Sequence, residues 1–67
     1  MVSISDTALN TWFERDRAHV ELMRKDTEET IIEWWDDAVQ EAIEDGILDP
    51  RDFHTSAYHH AVSVGLD

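Results

Sequence analysis

The hydrophobic pattern changes period along the chain. In residues 1–16, Leu9, Trp12, Phe13 and Asp16 recur at helical spacing behind Ser5 and Asp6, either of which can cap a helix. That spacing predicts a short helix whose Leu9, Trp12 and Phe13 stripe must pack on something. Residues 18–24 alternate instead: Ala18, Val20 and Leu22 fall on one face of a strand, and His19, Glu21 and Met23 on the other. Lys25 to Glu29 is polar and suits a turn of several residues. Residues 30–35, Thr-Ile-Ile-Glu-Trp-Trp, hold five β-formers in six and predict a second strand, paired with the first as a hairpin. From Asp37, Ala38, Val39, Ala42 and Ile43 form a helical stripe, and Gly46 stands where a left-handed C-cap belongs. Asp49-Pro50-Arg51-Asp52 reads as a further helix start, with Asp49 as N-cap and Pro50 at the first position. Phe53, Ala57, His60 or Ala61, and Val64 then share one face, and Gly65 ends it. The expected fold is a small α+β domain over residues 1–67, in the order helix, β-hairpin, helix, helix.

A second assignment fits the same central residues. On one helix from 28 to 45, Ile31, Ile32, Trp34, Trp35, Ala38, Val39, Ala42 and Ile43 share half of the wheel, and Glu33, Asp36, Asp37, Gln40, Glu41 and Glu44 take the other. Thr27 would cap it, giving a three-helix bundle. The β-branched and aromatic run, and the N-cap offered by Asp36 and Asp37, favour the hairpin.

The chain has 67 residues, 42% of them hydrophobic, with three Trp, and this marks a folded domain with one small core. There is no Cys, so disulfides and thiolate metal sites are excluded, and a reducing cytoplasm is the expected setting. No apolar run reaches the length of a membrane span or a signal peptide. Sixteen acids against five bases give a net charge of −11, which disfavours nucleic acid and anionic membranes and favours basic protein surfaces. The charge is segregated. From Asp26 to Asp52 there are eleven acids and one base, whereas the other forty residues hold five acids and four bases. Solubility alone does not require that segregation.

Chemistry is sparse. His54 and His59 are five apart, and His59 and His60 point away from each other, so no metal site of helical i, i+4 spacing is expected. The carboxylates before Gly46 do not fall at the alternate positions of a calcium loop. No Gly-rich phosphate loop, nucleophile elbow or Cys is present, and no enzyme and no cofactor is expected. Trp12, Trp34 and Trp35 are read as core. The hairpin, however, sends Trp34 and Trp35 to opposite faces, and one of them is then available as an interface anchor.

What remains is the acidic stretch. The plain reading is a solvated surface. The functional one is a partner-binding surface made of Glu28, Glu29, Glu33, Asp36, Asp37, Glu41, Glu44, Asp45 and Asp49. Carboxylates three or four apart on a helix sit ~5–6 Å from one another, near the separation of successive phosphates along one nucleic-acid strand. Glu33, Asp37, Glu41 and Glu44 are expected to form one such row, with Asp36, Asp45 and Asp49 beside it. Glu44 and Asp45 lie at the negative end of the helix dipole, which costs stability and hints at another use.

These acids, wrapped around Ile31 to Ile43 in a small Cys-free chain, resemble the small acidic inhibitors of bacterial defence carried by phages and mobile elements, the anti-CRISPR and anti-restriction proteins. The resemblance is one of type. It implies a monomer that occupies the basic DNA-binding surface of an RNA-guided effector, such as a type I Cascade-like complex, and blocks target DNA. The other reading is a small acidic interaction or scaffold module without DNA mimicry, held to its partner by exposed aromatic surface.

Overall fold

A computed structural model describes residues 2–65. A 3-10 turn, Ile4–Asp6, leads into three strands, β1 (Thr7–Glu14), β2 (Arg17–Arg24) and β3 (Thr30–Trp35). Two helices follow, α1 (Asp37–Glu44) and α2 (Phe53–Ser63). The strands form an antiparallel meander in the order β1-β2-β3. The α+β class and the hairpin of residues 18–24 with 30–35 stand as expected, and the bundle is excluded because 30–35 is a strand.

The first element is a correction. Residues 7–14 are a strand rather than a helix, and every one of them is paired, from Thr7 opposite Arg24 to Glu14 opposite Arg17. Leu9, Trp12 and Phe13 satisfy helical spacing, but Thr11, Trp12 and Phe13 are also β-formers, and β2 needs a partner on its outer edge. Pairing therefore overrides the local period. The cap signals at the start are used for a single turn: the Ser3 N–H and hydroxyl donate to Asp6 Oδ2 at 3.2 and 3.0 Å. Asp16 leaves the predicted stripe for the β1–β2 turn. There Arg15 and Asp16 take φ values of 52° and 64°, the doubly left-handed geometry that matches a tight hairpin to strand twist.

Both helices lie on one face of the sheet. Alternation puts Leu9, Val20, Leu22, Ile32 and Trp34 on that face. Val20, Leu22 and Trp34 join Val39 and Ala42 of α1, Ala57 and Ala61 of α2, and Leu48 between the helices in one buried cluster. α1 follows β3 through Asp36 (φ 58°), whose N–H donates to the Ala18 carbonyl at 2.8 Å. Asp36 takes the expected N-cap position, but its side chain makes no cap hydrogen bond. Gly46 has the expected left-handed backbone (φ 78°), and Ile47 N–H closes back on the Ala42 carbonyl at 2.8 Å.

α2 begins later than its sequence signal. Asp49 to Asp52 form a turn, with the Arg51 N–H donating to Asp49 Oδ1 at 2.9 Å, and Asp52 is the N-cap, accepting from the Thr55 N–H at 3.2 Å. An Asp followed by Pro serves a turn as well as a cap; the second Asp decided the register. Val64, placed on the buried stripe from the sequence, is exposed beyond the last helical turn. α2 also secures the start of the chain: Tyr58 Oη donates to the Val2 carbonyl at 2.6 Å, and His54 Nε2 lies 2.8 Å from the Thr7 hydroxyl.

Candidate functional site

Two solvent-facing surfaces stand out, and they look in opposite directions. The first is the outer side of α1. Val39, Ala42 and Ile43 turn towards the sheet, so positions 37, 41 and 44 fall on the opposite side of the wheel. Asp37, Glu41 and Glu44 are all exposed and form an i, i+4, i+7 row, with Asp36 before it and Asp45 after it. Ion pairs among the described residues join Arg17 to Asp36 at 3.8 Å, Glu14 to His19 at 4.0 Å and Arg51 to Asp49 at 3.3 Å. None of them touches the row. Among the described residues its one side-chain hydrogen bond is Gln40 Nε2 to Glu44 Oε1, at 3.4 Å. No basic side chain stands in the last turn of α1, so the carboxylates at its negative end gain nothing from the helix itself.

The nine acids expected at the site are not one surface. Asp36, Asp37, Glu41, Glu44 and Asp45 stay together. Glu33 does not join them, because it pairs opposite Glu21 and points to the open face of the sheet, away from the helices. A helical row from Glu33 through Asp37 is impossible when a strand ends at Trp35. Glu28 and Glu29 lie in the β2–β3 turn, the length of β3 away from Asp36, ~20 Å for a six-residue strand. Asp49 is half-buried and is bound within its own turn; the backbone N–H of Arg51, then its side chain, hold the Asp49 carboxyl below the ordinary carboxylate range.

The second surface is the open face of the sheet. Register puts Trp12, His19 and Trp35 side by side across the three strands. Their rings stack, Trp12 to His19 at 4.8 Å and 8°, His19 to Trp35 at 6.4 Å and 10°. Trp12 is 38% and Trp35 51% exposed, which corrects their assignment to the core; Trp34 alone is buried, tilted against His60 at 5.8 Å. His19 Nδ1 is buried and has no hydrogen-bond partner among the described residues. A cavity of about 350 Å³, lined by Glu14, Arg15, Arg17, His19 and Trp35, opens beside the stack. The next row is Asn10, Glu21 and Glu33. There Glu21 accepts from the Thr30 hydroxyl at 2.6 Å and from Asn10 Nδ2 at 3.4 Å.

Sequence reasoning missed Trp12 and His19 as parts of a surface. The run of β-formers Thr11, Trp12 and Phe13 was the available signal, and the helical spacing of Leu9, Trp12 and Phe13 masked it. Phe13, 80% exposed, points to the other face, where Thr11, Ala18, Val20, Val39 and Phe53 line an apolar groove with it. Among the described residues no three His, Asp or Glu side chains gather to hold a metal ion, and no helix is long and apolar enough to cross a membrane. The chain matches no protein-family model, no curated protein and no solved structure.

Proposed function

We propose that this protein is a non-enzymatic inhibitor, acting as a monomer in the cytoplasm of a bacterial host. It docks the outer side of α1 on a basic nucleic-acid-binding surface, that of an RNA-guided effector complex, and excludes target DNA. The observation that carries this is the row Asp37, Glu41 and Glu44, flanked by Asp36 and Asp45, exposed and, among the described residues, with no ion pair to the row itself. Each exposed carboxylate–cation pair contributes only ~0.2–1 kcal/mol, so binding depends on several acting together. With a net charge of −11 the protein itself is repelled by nucleic acid.

The test is charge reversal. Binding of the protein to purified type I effector complexes is measured for the wild type, for D37K/E41K/E44K, and for D16K/D26K on turns outside the row. The first variant loses binding and the second keeps it. Equal losses in both would leave the row without a role.

The interaction-module reading, without DNA mimicry, is favoured by a different observation: two half-exposed tryptophans held in a stack on the open face of the sheet.

A further inference from the structure

We propose that the open face of the sheet is a separate protein-binding surface, centred on Trp12, His19 and Trp35, and that it takes a partner segment bearing arginine or lysine. The proposal develops the interaction-module reading and does not depend on the inhibitor reading.

A sheet face left to water is ordinarily polar along its alternating positions. Here its central row is Trp, His and Trp. Tryptophans at the centre of an interface carry a large share of binding energy. These two are already fixed against His19, with all three rings within 10° of parallel from neighbour to neighbour, so little side-chain freedom is lost on binding.

Charge selects the occupant. Directly beside the aromatic row, Glu21 stands opposite Glu33 in register, and like charges so placed destabilise a strand pair. The Glu21 carboxylate is held by Thr30 and Asn10, whereas the Glu33 side chain has no hydrogen bond or ion pair among the described residues. Glu14 flanks His19 on the other side of the row at 4.0 Å. Of the two arginines nearby, Arg17 is engaged by Asp36 at 3.8 Å, and Arg15 sits in the hairpin turn at one end of the face. A cation over Trp35 gains the ring's electrostatic attraction and relieves the Glu21 and Glu33 pair together. A second copy of the chain fits badly, since it would bring the same carboxylates against themselves. Single-stranded nucleic acid fits badly too, because the neighbouring row of Glu21 and Glu33 would repel its phosphates.

The measurement follows the three indole N–H signals of the ¹⁵N-labelled protein. The probe is a blocked hexapeptide of alternating arginine and threonine, with its glutamine-threonine counterpart as control. The Trp12 and Trp35 signals move and saturate with the arginine peptide alone, and buried Trp34 stays in place. Trp35→Ala weakens binding about fivefold, the size of an exposed cation–π contact. Glu33→Lys weakens it as well, and because Glu33 is exposed that variant folds whether or not Trp35→Ala does. Shifts confined to the α1 amides would overturn this proposal while leaving the inhibitor reading intact. So would indole shifts that follow protein concentration without peptide, or that appear with an oligothymidylate instead. Indole shifts with the arginine peptide, in a protein that fails to displace DNA from effector complexes, would leave this surface standing and remove the inhibitor reading.

Discussion

Thr7 is the buried polar side chain of the described core, with no exposure at all. Its hydroxyl donates to the Ile4 carbonyl at 2.7 Å, which leaves its oxygen to accept from His54 Nε2–H at 2.8 Å. His54 therefore carries its proton on Nε2. Thr7→Val strands both partners and should cost ~1–3 kcal/mol, read as a fall in the urea midpoint at neutral pH; an unchanged midpoint would mean that water replaces the hydroxyl. Leu22→Ala, at a fully buried site, should cost ~2–5 kcal/mol by the same measurement. Three carboxylates tie stability to pH. Hydrogen bonds from Ser3 lower the Asp6 pKa, those from Thr55 lower that of Asp52, and those from Arg51 lower that of Asp49. A folded-state pKa below the unfolded one gives stability that is present above the unfolded value and lost as pH falls through the folded one. The urea midpoint should fall below about pH 4, and Asp52→Asn should flatten that fall. At this scale the sequence was partly legible. Gly46, Asp36 and the alternation of Ala18, Val20 and Leu22 stand where their chemistry put them. The Thr7 and His54 bond joins residues 47 apart, and no local signal announces it.

At the scale of elements, β1 shows why a period is weaker evidence than a partner. Leu9, Trp12 and Phe13 suit a helix in isolation, and the β1–β2 turn carries neither Gly nor Asn to announce a hairpin. Arg15 and Asp16 both adopt left-handed backbone, at a cost that Arg normally avoids and Asp tolerates better. Replacing them by Asn and Gly, R15N/D16G, should raise stability by up to ~1 kcal/mol, since that pair suits the same turn. The check is the urea midpoint together with an unchanged amide spectrum for β2; a loss of stability would mean that the Arg15 or Asp16 side chain contributes more than the turn costs. β3 and α1 were legible because they hold the strongest local signals, a β-branched and aromatic run followed by an amphipathic stripe ending in Gly. The start of α2 was legible to within a turn: the sequence signal puts the cap at Asp49, and Asp52, three residues on, takes it by accepting from the Thr55 N–H.

At the scale of the molecule, the charge asymmetry of the sequence becomes a division of surfaces. The acids of residues 36–45 cover the outer side of α1, whereas Glu33 belongs to the opposite face with the stacked aromatic rings. The density of acids was legible from the chain, and so was the strand over 30–35, which already breaks a helical row through Glu33; the face that Glu33 takes was not, because it depends on its pairing opposite Glu21. Crowded like charge also opposes the compact state, so moderate salt should raise the protein's own stability while weakening any complex made through the α1 row. Opposite responses of the urea midpoint and of effector affinity, between ~50 and ~200 mM salt, are expected. The central claim, that α1 stands in for nucleic acid, is tested most directly by competition. The protein is titrated into an effector complex holding labelled target DNA, and both bound species are followed. Release of DNA in step with binding of the protein, and no ternary complex, is the predicted result. A ternary complex that keeps the DNA would contradict it.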